Sequence, residues 1–330
     1  MKEVSIIIPS VKWEPFTEQC VTTCANLFPQ SKIILILNDQ TPVKRSIQNL
    51  TVLYGHEGTI SLKRNIAVKA AKTEFVAFID SDAYPHKDWL DNALQTLKTD
   101  TSIGMAGGPN ISPPAQEQER TLVGMATKSW LVAGKWNFYK SETSSARYCD
   151  NLPSCNLILR KSLFEELNGM NKELEVGEDT DFCARMIAAG HLVYFNPKVV
   201  VYHYDRKISD YFRQRIVRGA GVFLLLSSSS PQKENLYTYL LLQPVFTLLF
   251  WLSFPLGLWW QSWLYLMIIF GGIYLLLIIR EAFKHSTRMK YLPMVIALIL
   301  AGNILPGVGF ILKAFHLLPS LQSFYRNDKG

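Results

Sequence analysis

The chain has 330 residues, 48% of them hydrophobic, with 34 Lys+Arg against 27 Asp+Glu for a net charge of +7. That length exceeds a single core and implies two units. Residues 1–205 carry 21 basic and 23 acidic side chains, residues 206–330 carry 13 and 4, and the basic part is also the apolar part. Such a segment suits an anionic membrane surface and excludes nucleic acid as the expected partner.

The five cysteines (Cys20, Cys24, Cys149, Cys155 and Cys183) show no paired C-x-x-C spacing. They read as reduced, mostly buried thiols of a cytosolic domain, and a zinc site is disfavoured. No signal peptide is expected, because the apolar run at 4–8 is too short and ends at Pro9.

In chain order, residues 4–9 predict a buried strand and residues 17–27 a helix, which ends before Pro29. Residues 32–37 predict a second strand ending at Asn38-Asp39, and residues 51–54 a weaker third. Residues 58–71 read as a loop running into a helix, with Arg64 and Asn65 near its start. Residues 75–79, Phe-Val-Ala-Phe-Ile, are apolar without alternation, as in a strand buried on both faces of a parallel sheet. That strand stops at Asp80 and Asp82, and Pro85 then predicts an end to pairing.

Strand, helix, strand at this spacing means right-handed crossovers and a mostly parallel α/β sheet. Ligands bind such sheets beyond the carboxyl ends of their strands, where Asp39 and Asp80 fall. Two carboxylates one residue apart repel each other, and a hard divalent cation that also takes phosphate oxygens would relieve them. In the plainer alternative, one aspartate caps a helix starting near Lys87 and the other is solvated. Asp39 could accept from a base or ribose and Arg64 could face a diphosphate; each could also be a surface loop residue.

Ser-Ile-Ile-Ile-Pro at 5–9, Leu-Asn-Asp at 37–39, Lys-Arg-Asn-Ile-Ala at 63–67 and Phe-Ile-Asp-Ser-Asp-Ala-Tyr-Pro at 78–85 occur in this order. Together they resemble the family 2 glycosyltransferases of GT-A fold, over about residues 1–220. The resemblance implies donor contacts from Pro9, Asp39, Arg64, Asn65 and Asp80, with Asp80 and Asp82 carrying ribose and metal, Mn²⁺ or Mg²⁺. The chain departs from the family after Asp39, where it has Gln-Thr.

Residues 103–108 predict a fifth strand. The segment 111–150 is polar and weakly periodic, with Trp130, Trp136, Phe138 and Tyr139. Those aromatics suit stacking on acceptor sugars, covering the sheet, or touching lipid. Ser154-Cys155-Asn156 before Arg160-Lys161 is similar to the family's Gly-Ala-Asn strand, which implies Asn156 beside the donor sugar.

Gly177-Glu178-Asp179-Thr180-Asp181-Phe182 begins a pattern of helical spacing, so its acids fall in a first turn favoured by the helix dipole. That position alone accounts for acidic residues. The resemblance adds a catalytic base, Asp179 first, then Glu178, then Asp181. A sugar hydroxyl needs such a carboxylate to take its proton, which fits single displacement with inversion.

His203 ends another apolar run, where a lone His is usually structural; the family's late Val-x-His implies a metal ligand instead. Residues 206–218 place Tyr211, Phe212, Arg215 and Arg218 near one helical face. The resemblance puts Arg215 and Arg218 near the diphosphate, although the common Gln-x-x-Arg-Trp is absent. An interfacial helix meeting lipid phosphates fits as well.

Residues 236–259, 263–279 and 292–312 are long and apolar enough to be candidate membrane spans. Arg280, Lys284, Arg288 and Lys290 put the loop between the last two on the cytoplasmic side. Re-entry of the third segment at its Gly/Pro cluster is left open. The expected organisation is a cytoplasmic GT-A domain at 1–205, a basic interfacial helix and linker at 206–235, and a multi-pass membrane domain at 236–330. The expected activity is inverting transfer from a nucleotide-sugar donor to a lipid-linked or membrane-proximal glycan acceptor, in contact with membrane lipids. Transfer to polyprenyl phosphate and a non-catalytic scaffold are the alternatives.

Overall fold

The computed structural model describes residues 3–38, 40, 42–43, 47–55, 58–141, 143–174, 176–227, 253, 255 and 260–318. The chain forms two compact units, one of Met1–Pro113 with Phe138–Tyr204 and one of Pro114–Asn137 with Asp205–Gly330. In this division residues 114–137 group with the later part of the chain.

The first unit runs β1 (Val4–Pro9), α1 (Pro15–Leu27), β2 (Lys32–Ile36), β3 (Leu50–Leu53), α2 (Ile60–Ala70) and β4 (Phe75–Ile79). It continues with β5 (Ala83–Pro85), α3 (Trp89–Thr99), β6 (Ile103–Gly107) and β7 (Asn110–Ile111). After α4 (Gln118–Thr127) and α5 (Trp130–Ala133) of the second unit come β8 (Arg147–Tyr148), β9 (Asn156–Arg160) and α6 (Lys161–Glu166). The first unit ends with α7 (Glu178–Ala188), β10 (Leu192–Phe195) and β11 (Val201–His203).

The main sheet has the order β3-β2-β1-β4-β9-β6-β10-β8. Strands β3, β2, β1 and β4 are parallel, as is β10 to β6. β9 enters antiparallel between β4 and β6. β1 and β4 are buried at every position, as unalternating apolar strands must be when helices cover both sheet faces. Cys20, Val21 and Cys24 of α1 and Trp89, Leu90 and Leu97 of α3 share one core with Ile6, Ile8, Phe75 and Ile79. Each such large apolar side chain stabilises the fold by about 1.5–3 kcal/mol.

Pro85 does not end pairing. β5, β11 and β7 form a second small sheet in which Ala83, Tyr84 and Pro85 lie antiparallel to His203, Tyr202 and Val201. β5 is an edge strand of that sheet, where a proline's missing N–H is tolerated. α3 begins at Trp89 after Asp88, so neither Asp80 nor Asp82 caps it.

The second unit holds α4, α5, α8 (Ile208–Ser227), α9 (Gln261–His285) and α10 (Leu292–Ala314). Small residues let its helices approach closely. A Cβ on Gly219 would strike the Pro306 carbonyl, and one on Gly309 would strike that of Ile216. The expected common face on α8 divides: Tyr211 and Arg215 are buried, whereas Phe212 and Arg218 are exposed. Glu281 of α9 is buried and accepts from Ser129 Oγ at 3.1 Å and the Trp130 N–H at 3.3 Å, tying α9 to the start of α5.

Among the described residues, two helices are long and apolar enough to cross a membrane, Gln261–His285 and Met289–Ala314. The first exceeds its expected span, and the second runs unbroken through Pro306. The expected segment at 236–259 lies outside the described residues.

Candidate active site

Three strand ends build the site. Asp80 follows the last residue of β4, and its carbonyl accepts from the Ala83 N–H in the turn that starts β5. The pairing of Ala83 with His203 brings the imidazole level with Asp80 and Asp82. The antiparallel pairing of Ile79 with Asn156 brings Cys155 level with Asp80.

His203 Nε2 lies 3.4 Å from Asp82 Oδ1 and 3.8 Å from Asp80 Oδ2. Its Nδ1 lies 3.0 Å from the Tyr204 carbonyl oxygen, which selects the tautomer with Nδ1 protonated and Nε2 turned to the carboxylates. Ligand atoms of Asp80, Cys155 and His203 all lie within 4.8 Å of one another.

Arg64 of α2 is 1% exposed and joins two acidic groups. One guanidinium nitrogen donates to Asp80 Oδ1 at 2.7 Å and the other to Glu178 Oε1 at 3.1 Å. Burial alone would raise the Asp80 carboxyl, but the neighbouring His203 ring and the Arg64 charge outweigh it and hold it at about 2. Burial would lower the His203 imidazole, yet the charges of Asp82 and Asp80 raise it above its ordinary value. Glu178 moves oppositely: burial, then repulsion from Asp179, push it up to about 7 despite Arg64.

Glu178 and Asp179 open α7. Gly177, at φ 86°, supplies the left-handed turn that leads into the helix. Asp179 accepts only from the adjacent Thr180 among the hydrogen bonds described, through Oδ1 at 2.8 Å. Asp181 points elsewhere and is paired with Arg185 at 2.8 Å, a structural contact.

The other expected residues are placed as follows. Pro9 ends β1 opposite Ile36, at the same sheet edge as Asp80. Asp39 lies outside the described residues. Asn65 is committed to structure, donating to the Met170 carbonyl at 2.7 Å and accepting from its N–H at 2.9 Å. Asn156 is fully buried; it accepts from Trp89 Nε1 and donates to the carbonyls of Pro109 and Val199. It therefore clamps three segments of the core rather than facing a sugar. Arg215, in the second unit, donates to the carbonyls of Gly302 and Val132, and burial lowers it to about 10. Phe138 and Tyr139 pack on Phe195, covering the sheet.

Cys155 is the member that the sequence did not single out. Its substitution into a Gly-Ala-Asn pattern was visible; its position beside Asp80 depends on the register of β9. Burial, then the charge of Asp80, raise its thiol well above the ordinary value, so it is neutral at pH 7.

The donor set fits a divalent cation. Two carboxylate oxygens and an imidazole nitrogen converge at an open sheet edge, with their outer atoms held by Arg64 and Tyr204.

Residues 75–305 match the family model described as "Glycosyl transferase family group 2". The chain is 28% identical over 159 residues to the pre-mycofactocin glycosyltransferase of Mycobacterium tuberculosis (strain CDC 1551 / Oshkosh), covering 48% of this chain and 33% of that protein. It is 24% identical over 230 residues to glycosyltransferase AglE of Haloferax volcanii, covering 66% of this chain and 72% of that one. Among solved structures, TarS of S. aureus aligns with a TM-score of 0.45 at 17% identity, over 73% of this chain and 47% of that chain. The chain spans about a third of the length of the first curated relatives that it matches.

Proposed function

We propose, from the premise that the chain belongs to glycosyl transferase family group 2, that it moves a sugar from a nucleotide-sugar donor to an acceptor hydroxyl with inversion. The observation that carries this reading is the convergence of Asp80, Asp82 and His203 beyond β4, joined through Arg64 to the acidic turn of α7.

Asp80 Oδ2, Asp82 Oδ1 and His203 Nε2 are the atoms that would hold Mn²⁺ or Mg²⁺. Bound there, the ion supplies positive charge to the diphosphate leaving group. Arg64 keeps Asp80 ionised and aimed, and Tyr204 keeps His203 in the tautomer a ligand needs. Asp179 is the base. Its second carboxylate oxygen accepts the acceptor's proton as the hydroxyl attacks the anomeric carbon and the carbon–oxygen bond to the diphosphate breaks. Glu178, held by Arg64, orients the turn that carries Asp179 and couples it to the donor side.

The acceptor is a lipid-linked or membrane-proximal glycan, because α9 and α10 have the length and apolarity of membrane spans. The basic residues Arg280, Lys284, Arg288 and Lys290 then lie on the cytoplasmic side together with the catalytic unit. Labelling of an introduced Arg288→Cys in sealed vesicles tests that orientation, and labelling only from the opposite face contradicts it. Turnover is tested by presenting a panel of nucleotide sugars to the full chain in detergent with Mn²⁺. Metal-dependent release of nucleoside diphosphate from one of them is expected; release from none contradicts the reading.

A further inference from the structure

We infer that Asp80, Cys155 and His203 also form a soft-metal site, which takes Zn²⁺ through the Cys155 thiolate in competition with the hard cation of the transfer reaction. The inference rests on the proposed metal site but adds a ligand which that reading does not use.

Three donors of different type, one oxygen, one nitrogen and one sulfur, lie within 4.8 Å of one another. In a tetrahedral zinc site with bonds of about 2.0–2.3 Å, neighbouring donors are roughly 3.3–3.8 Å apart. His203 Nε2 and Asp80 Oδ2 lie 3.8 Å apart, within about 0.5 Å of the spacing for a nitrogen–oxygen pair. Drawing donors that lie within 4.8 Å of one another to that spacing takes shifts of up to about 1.5 Å, within reach of a side-chain rotation.

Each donor atom is left available. Arg64 occupies Asp80 Oδ1 and leaves Oδ2, and Tyr204 engages His203 Nδ1 and leaves Nε2. Cys155 is a free thiol. Binding releases its proton to solvent and forms a metal–sulfur bond, without any redox change.

Metal choice follows from donor softness. Magnesium and manganese prefer carboxylate and phosphate oxygen, so they use Asp80, Asp82 and the diphosphate and leave the thiol protonated. Zinc and cobalt gain from a thiolate and stand above manganese in affinity for a given nitrogen, oxygen and sulfur set. A zinc ion held by three protein ligands would keep one open position, fewer than a six-coordinate hard cation would offer to diphosphate oxygens. The soft ion therefore occupies the donor site without supporting it.

The test uses Co²⁺ as a spectroscopic substitute for zinc on the full chain in detergent, without nucleotide. Stoichiometric binding with a thiolate-to-cobalt charge-transfer band in the near ultraviolet is expected, and Zn²⁺ should displace it. Cys155→Ser should remove the band and weaken Co²⁺ by about tenfold or more, since losing a ligand costs at least what losing a supporting contact does. Mn²⁺ binding, read by electron paramagnetic resonance, should change by less than that in the same variant. The wild-type band does not depend on how the variant folds. Co²⁺ binding without the band, or a band that survives Cys155→Ser, overturns the inference while leaving the hard-metal site intact. Failure of both Co²⁺ and Mn²⁺ to bind overturns the inference and the metal assignment together.

Discussion

Arg64 lies 2.7 Å from Asp80, and the same guanidinium reaches Glu178 at 3.1 Å, so one buried cation serves both acidic clusters of the first unit. Asp80 ends a central strand and Glu178 starts a helix nearly a hundred residues later in the chain. The planar fork presents a separate nitrogen to each carboxylate, a fixed spacing that the single nitrogen of an ammonium does not reproduce.

Arg64→Lys should therefore lose one of the two contacts even though the charge is kept. Leaving a mostly buried carboxylate without its partner costs about 3 kcal/mol. A clear drop in the thermal midpoint of the full chain in detergent is expected, together with weaker donor binding. An unchanged midpoint would remove Arg64 as the link between the clusters.

The pH dependence of stability follows from two opposed shifts. Glu178 is raised from its ordinary 4.5 to about 7, so between those values the folded chain retains a proton that the unfolded chain has released. Stability must fall as pH rises through that window. Asp80 is lowered from 3.8 to about 2, so its contribution is present above the unfolded value and is lost as pH falls toward 2. Thermal midpoints of the metal-free protein should decline from about pH 5 to about pH 7, and Glu178→Gln should flatten that decline. An equal slope in the variant contradicts the assignment.

Asp179→Asn keeps its size and its contact with Thr180 but cannot accept a proton. Turnover should fall by ~10²–10⁴ while donor affinity stays near wild type. Asp181→Asn removes the charge from the contact with Arg185 and should lower stability by about 1–3 kcal/mol with turnover largely kept. Steady-state kinetics with donor binding measured in parallel separate the two, and the reverse pattern would move the base to Asp181.

In the second unit, Gly219→Ala places a methyl group against the Pro306 carbonyl of α10. Overpacking of this kind costs about 1–3 kcal/mol. A lower thermal midpoint in detergent is expected, and an unchanged one would show that α8 and α10 can part without loss.

The parts legible in the sequence are those set by local pattern. The unalternating run of β4, the aspartates that end it and the acidic first turn of α7 all follow from residues adjacent in the chain. What escaped was set by register between distant strands. Pro85 reads locally as a terminator, yet β5 pairs with β11, and that pairing carries His203 to Asp82. Cys155 reads as one more buried thiol until β9 is laid antiparallel to β4. Asn65 and Asn156 sit in the expected elements, but their amides are taken up by backbone groups of Met170, Pro109 and Val199. No spacing rule exposes partners that arrive from other segments. Arg215 similarly looks like a free cation on a helix face until the carbonyl of Gly302 receives it.

The proposed function requires the carboxylates beyond β4 to bind the donor through a divalent cation. Titration calorimetry of a nucleoside diphosphate into the full chain, with and without Mn²⁺, tests it most directly, with Asp82→Asn as the comparison. Affinity should depend on Mn²⁺ in the wild type and be lost in Asp82→Asn while the thermal midpoint holds. Equal affinity with and without Mn²⁺, or full Mn²⁺-dependent affinity in Asp82→Asn, would contradict it.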